Sequence, residues 1–280
     1  MIIPRTPSEK LMYSTVRLSI GNTCGTGFFY KLDTDKKTII VVSNRHLAEN
    51  VSSLEELDFS KSSITQKTEF LIHLDDGNNQ SFYEDITWFL HPTQDLAFFD
   101  LTSVLNKHPL PTNKNYYYIP VSSASIPTQN TLDNLFAIED VVMVGYPNGL
   151  YDTVNNYPIF RTGKTGSHPA IDYDGEKKAL LDVSCVPGSS GSPVFILDEG
   201  WIRYKNGASA QGNRVLFLGV ENSMPIRRSN ALFKKVKSPD GTNKLEKLED
   251  YFVIDDMKLG YYIKASELKG FDPQIKALGL

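Results

Sequence analysis

Cysteine is scarce in this sequence: Cys24 and Cys185 are the two it has in 280 residues, and they lie in opposite halves of the chain. That excludes a disulfide-stapled secreted scaffold, and two reduced thiols are expected. Neither thiol sits at a metal-ligand spacing, so no metal is expected. No stretch approaches the roughly 18 consecutive apolar residues of a membrane-spanning helix, and no membrane partner is expected. The opening MIIPRTPSEKLMYS has no apolar segment behind a basic flank, which points to the cytoplasm. Charge of one sign is missing too. Lys+Arg 29 against Asp+Glu 33 leaves a formal net charge of −4 with no long single-sign run, so nothing in the sequence would attract nucleic acid. Helical periodicity is sparse, confined to HLAENVSSLEEL (46–57) and ASELKGF (265–271).

What the chain does have is short β-rich runs punctuated by turn residues. STVRLSI (14–20), TGFFYKL (26–32), KTIIVVS (37–43), TEFLIHL (68–74), LAFFDL (96–101), VVMVGY (141–146), ALLDVSC (179–185), SPVFIL (192–197), RVLFLGV (214–220) and LGYYIKA (259–265) all read as strands. Asp76-Gly77 signals a hairpin, and LDTDKK a turn. With 40% hydrophobic and 11% aromatic residues the chain can bury a sizeable core. The strands fall into two groups, about 12–101 and 141–265, joined by a stretch rich in proline and serine, and two β-barrels side by side fit this better than one sandwich. The expected organisation is a first barrel over 1–110, a linker over 111–136 and a second barrel over 137–280. The polar stretch 227–256 reads as an insertion into the second barrel, either a regulatory or docking element or a solvated surface loop with some helix.

Two chemical signals fail on inspection. FRTGKTGS ends like a phosphate-binding loop, but the first glycine of that motif would fall on Pro158. HLDDGNNQSFYE resembles a calcium loop, yet Tyr83 stands where the closing carboxylate belongs. An ordered trio survives: SNRHL (43–47) ends a β-rich run with His46, TQDLAFFDL (93–101) opens another with Asp95, and PGSSGSPV (187–194) sets Ser190 between glycines. A serine hydroxyl attacks a carbonyl only when a base takes its proton, and an imidazole serves best when an anion holds its tautomer. The developing oxyanion needs donors already in place, which the backbone N–H groups of Gly188 and Ser190 could supply. Within the same segments Asp100 competes with Asp95, and Ser189 and Ser192 with Ser190. His73, His91, His108 and His168 match no site pattern.

Gly188-Ser189-Ser190-Gly191-Ser192-Pro193 resembles the nucleophile hexapeptide of the chymotrypsin-fold, trypsin-like serine proteases, especially their bacterial branch with HtrA-type protease domains. CGTGFFY (24–30), SNRHL, HPTQDLAFFDL (91–101), VGYPNG (144–149), YPIFRTG (157–163), LLDVSCVPGSSGSPV (180–194) and FLGVENS (217–223) are similar to landmarks of that family, in family order. The resemblance implies an all-β fold of two antiparallel six-stranded β-barrels packed side by side, with a short C-terminal helix. It implies a serine endopeptidase working through an acyl-enzyme, with His46 as general base and acid, Asp95 as its orienting anion, Ser190 as nucleophile, and the N–H groups of Gly188 and Ser190 as oxyanion donors. Ser184, Gly219, Val220 and Glu221 are the expected walls of the substrate pocket, while Asp182 is expected to be structural. The substrate is a polypeptide that adds as a strand near 217–222, and no cofactor is required.

Departures from the family shape further expectations. Ser189 replaces the aspartate that zymogen activation pairs with a new N-terminus, so that mode of activation is not expected. The residues after about 265 are too few for a PDZ domain. The missing anchor at Ser189 leaves room for an oxyanion turn that rests collapsed and awaits a protein activator or regulator. The competing reading is a catalytically silent relative that binds peptides in the same cleft. A serine esterase elbow would need glycine at position 192, which is Ser192.

Overall fold

The structure is a computed structural model that describes residues 2–34, 36, 38–229, 233–237, 243–247 and 253–280. After a short capped helix α1 (Pro7–Leu11), six antiparallel strands form the first unit: β1 (Thr15–Ile20), β2 (Thr23–Lys31), β3 (Ile39–Ser43), β4 (Ser63–Leu74), β5 (Asn79–Leu90) and β6 (Ala97–Asp100). Their hydrogen-bonded order is β1-β2-β3-β6-β5-β4, and β1 also pairs with β4 through Leu18↔Phe70 and Ile20↔Thr68, which closes the ring. Helix α2 (Arg45–Glu49) follows β3 and α3 (Leu101–Lys107) follows β6. The connection carries the two-residue strands β7 (Tyr116–Tyr117) and β8 (Val121–Ser122) and helix α4 (Gln129–Asp133). The second barrel closes in the order β10-β11-β18-β13-β12-β9, from β9 (Asp140–Gly145), β10 (Ile159–Thr165), β11 (Lys178–Asp182), β12 (Pro193–Arg203), β13 (Ser209–Ser223) and β18 (Gly260–Lys264). Helix α5 (Asp272–Leu278) ends the chain. No helix among the described residues is long and apolar enough to cross a membrane.

β5 is a strand that the sequence reading passes over, because NQSFYEDITWFL carries Glu84 and Asp85. Its burial alternates, with Phe82, Ile86, Trp88 and Leu90 inward, which is the period of a half-buried strand. It pairs along its length with β4 around a turn in which Gly77 takes φ +88° and the Asp76 carboxylate accepts from Asn78 N–H. β10 is missed for a similar reason, since FRTGKT alternates polar and half-buried residues without an apolar run. The helix expected over 46–57 stops at Asn50, which adopts the left-handed conformation and caps α2. Between β13 and β18, where the sequence suggests a polar loop with some helix, the described backbone is instead antiparallel ribbon. β14 (Ile226–Ser229) pairs with β17 (Val253–Asp256), and β15 (Phe233–Lys237) with β16 (Asn243–Lys247). The side chains there, and with them any docking role for 227–256, lie outside the described residues. The strand edge expected to receive a peptide near 217–222 is occupied in part. Gly219 to Glu221 are paired with β18, while Gly219 and Val220 are also paired with β12 and Glu221 is bonded to the turn before it.

Each barrel has its own core, one around Leu18, Phe70, Phe82, Trp88 and Phe99, the other around Met143, Leu181, Val194, Ile196 and Tyr262. A third cluster joins them: Phe28, Val42 and Phe98 meet Val144, Phe195, Phe217 and Val220, and Leu268 and Phe271 of the C-terminal segment complete it. The rings of Phe28 and Phe217 lie 5.3 Å apart in an edge arrangement across this seam. Phe217→Ala should therefore destabilise the protein by about 3–5 kcal/mol, measured as a lower denaturant midpoint in chemical unfolding followed by tryptophan emission.

Candidate active site

The site lies where the barrels meet, and its first component is the pairing of His46 with Asp95. The Asp95 carboxylate accepts from His46 N–H through Oδ1 and faces His46 Nδ1 through Oδ2, both at 2.8 Å. Asp95 is 6% exposed, so this pairing is largely shielded from water. With its proton on Nδ1 toward the carboxylate, a neutral imidazole has Nε2 left as an acceptor.

Both partners are held by the residues around them. Arg45, fully buried beside His46, pairs with Glu49 one turn on at 2.8 Å and donates to the carbonyls of His91, Asp58 and Lys61. Asn44, ahead of α2, donates to Asp95 O at 2.8 Å. The turn before Asp95 is pinned by His91, whose Nδ1 accepts from Thr93 N–H and Gln94 N–H while Nε2 meets Glu267 O at 3.0 Å. Burial pushes the His91 pKa down, which suits this neutral, bridging use. Gly270 is required there, because a Cβ would come 1.8 Å from the His91 ring. Among the other histidines, His73 is buried against Tyr13 and Tyr157 with its pKa pushed down to about 4 by burial, and His108 pairs with Glu84 at 3.2 Å. Asp100, the competitor of Asp95, caps α3 through Ser103 N–H.

The serine turn is tied to the first barrel through Thr26, a buried residue of β2 that the sequence reading does not single out. Thr26 N–H donates to Ser190 O at 2.9 Å, and Thr26 O accepts from Ser43 Oγ at 2.7 Å, three residues ahead of His46. Thr26 Oγ1 donates to Gly188 O and accepts from Tyr146 N–H and Ser192 Oγ, each at 3.1 Å. Ser192 is thus a buried bridging residue, and Ser189 is 1% exposed with its hydroxyl toward Val186 N–H. Ser190, by contrast, is partly exposed.

Gly188 and Gly191 have φ of +88° and +86°, a region that favours glycine, and any Cβ there would strike Tyr146 O or Thr26 O. Pro187 O accepts from Asn148 N–H at 2.6 Å and Gly188 O from Thr26. The carbonyls on both sides of the turn are thereby engaged, while the N–H groups of Gly188 and Ser190 have no acceptor among the described residues. Ser190 Oγ likewise has no hydrogen bond to His46 among the described residues.

The expected pocket walls are placed differently from one another. Val220 is buried in the seam between barrels, and a Cβ on Gly219 would run into β18 at Ile263 O. Ser184 is half-buried and Asp182 exposed at the end of β11. Glu221 is 2% exposed, and its peptide brackets the serine turn, its N–H donating to Ser192 O and its C=O accepting from Gly191 N–H, both at 2.9 Å. Burial pushes its carboxyl pKa up to about 8; the Asp95 charge adds to this, and a Cys185 hydrogen bond and the Arg161 charge oppose it. Its Oε2 has no hydrogen-bond partner among the described residues. The two cysteines form no disulfide, and no cluster of three or more potential metal ligands occurs among the described residues.

A profile of the trypsin-like peptidase domain matches residues 25–201, and the chain belongs to that family. Among solved structures, it is similar to the inactive form of an alanine variant of Rv3671c from M. tuberculosis H37Rv. The identity is 16% over 95% of this chain and 88% of that one, with a TM-score of 0.45. It is similar to Deg5 at 16% identity, covering 77% of this chain and 81% of that one, with a TM-score of 0.45. It is similar also to the HtrA-type protease AlgW with a decapeptide, at 10% identity over 96% of this chain and 65% of that one, with a TM-score of 0.46. No curated protein sequence matches the chain.

A carboxyl that is neutral in the fold and ionised in the unfolded chain makes a pH-dependent contribution. The unfolded Glu221 titrates near 4.5 and the folded one near 8, so its contribution is most favourable below 4.5 and is lost as pH rises through about 8. Glu221→Gln should therefore be more stable than the wild type by about 3 kcal/mol at pH 7, with the difference vanishing near pH 4, in urea unfolding at the two pH values.

Proposed function

We propose that the protein is a serine endopeptidase in which His46, Asp95 and Ser190 carry the chemistry. The observation that carries this reading is the two-point pairing of Asp95 with His46, largely shielded from water and held by Arg45, Asn44 and His91. An aspartate so placed holds the proton on Nδ1, leaves Nε2 to accept the Ser190 proton, and stabilises the imidazolium that forms. The Ser190 hydroxyl attacks the peptide carbonyl, and His46 then delivers the proton to the leaving amine, giving an acyl-enzyme that water hydrolyses.

The N–H groups of Gly188 and Ser190 are the oxyanion donors. Their lack of acceptors, with Pro187 O and Gly188 O already engaged, supports a turn that is open without an activator. The polypeptide substrate lies extended along β13 beyond Glu221, where Asn222 and Ser223 have no β12 partner. The chain needs no cofactor for this chemistry. The hydroxyl-to-imidazole hydrogen bond, absent here, is one that often tightens only when substrate is bound. The same absence favours a second reading, a silent protein of this fold that holds peptides in the cleft.

Exposure to a fluorophosphonate probe decides between them. Intact mass should show one adduct on the wild type and none on Ser190→Ala or His46→Ala, and peptide turnover by Asp95→Asn should fall about 10⁴-fold. A folded wild type that takes up no probe would favour the silent reading.

A further inference from the structure

Beside the serine turn lies an open cleft of about 630 Å³, lined by the turn Pro147 to Leu150, Ile159, Arg161 and Val186. It adjoins the proposed chemistry directly, because Asn148 on its wall donates to Pro187 O, next to Gly188. Arg161 stands on β10 opposite the buried Met143 of β9, on the strand face shared with Gly163, which packs against Val183. It is half-buried, and among the described residues its guanidinium makes no hydrogen bond or ion pair.

A partly desolvated cation without a partner is costly unless an anion is supplied from outside. The internal candidate is Glu221, whose charge would interact with Arg161. Burial keeps that carboxyl protonated at neutral pH, so it does not neutralise the guanidinium. A second guanidinium approaches the same turn from the first barrel: Arg17, stacked over Tyr151, has an atom 3.5 Å from where a Cβ on Gly149 would sit. One guanidinium thus lines the cleft and a second stands near its wall; the cleft is apolar along Pro147, Leu150, Ile159 and Val186, and it borders the turn that carries Gly188.

We infer that Arg161 selects substrates carrying an acidic side chain, glutamate or aspartate, next to the cleaved bond, by a charge-assisted fork onto the carboxylate. Guanidinium and carboxylate match in planar, two-point geometry, and the matching amide lacks both the charge and the second acceptor. This inference rests on the endopeptidase reading and names its substrate class.

The test uses the full chain and matched peptide pairs that differ only in Glu against Gln at each of three positions on either side of the cleaved bond. The wild type should cleave the Glu member at least about tenfold faster in kcat/KM when the varied residue directly flanks the cleaved bond, with ratios near one at the outer positions. That ratio should fall to near one in Arg161→Gln and recover in part in Arg161→Lys, with folding of each variant checked by circular dichroism. Peptides cleaved with a ratio near one at every position, or with a ratio that Arg161→Gln leaves intact, would overturn the inference and leave the endopeptidase reading standing. If no peptide of either kind is cleaved the inference falls, and fluorophosphonate uptake by the same sample shows whether the endopeptidase reading falls with it.

Discussion

One buried threonine joins the two halves of the site. Through its peptide and hydroxyl Thr26 reaches Ser190, Gly188, Tyr146 and Ser192 of the second barrel, and through its carbonyl Ser43 of the first. Every donor and acceptor it owns is satisfied, in a place where an unpaired polar group would cost about 1–3 kcal/mol. Ser43 leads directly into α2 and His46, so Thr26 links the segment carrying the imidazole to the turn carrying the serine. The aromatic seam of Phe28, Phe195 and Phe217 supplies the burial that holds the barrels together, but it is non-directional. The hydrogen bonds at Thr26 are directional and fix the serine turn against β2.

The electrostatics of the site follow from burial. Asp95 has both oxygens engaged by His46, whereas Glu221, with one oxygen unpartnered among the described residues, has its pKa pushed up to about 8 by burial. Burial is the main cause, the charge of Asp95 adds to it, and the Cys185 hydrogen bond and the Arg161 charge offset it only in part. Arg45 shows the opposite outcome: fully buried, it is stabilised by Glu49 and three carbonyls, so the charge serves as a clamp between α2 and the neighbouring loops. Arg161 lies between these extremes, and that intermediate position makes it informative about ligands.

Much of the architecture was legible because β-rich runs bounded by turn residues carry their own signal. The runs around β1, β3, β6, β9 and β18 lie close to where the sequence places them. β5 and β10 were not legible, since a strand with one polar face is visible in the sequence only as weak alternation, and burial is decided by what packs behind it. The ribbons between 226 and 256 were read as loop for the same reason: a two-stranded ribbon of polar residues owes its form to pairing across many intervening residues.

At the site, the sequence by itself determined which residue types were present and in what order: a histidine after β3, an aspartate before β6, and a serine in a glycine turn whose positive φ values admit little else. Only the tertiary structure decided that Asp95 and not Asp100 faces His46, that Val220 belongs to the seam, that Thr26 holds the serine turn, and that Arg161 opens on a cleft without a counter-ion. The reason is physical. Turn geometry and strand periodicity are local and written in adjacent residues, whereas hydrogen-bond partners and desolvation depend on residues far apart in sequence that meet only when both barrels close.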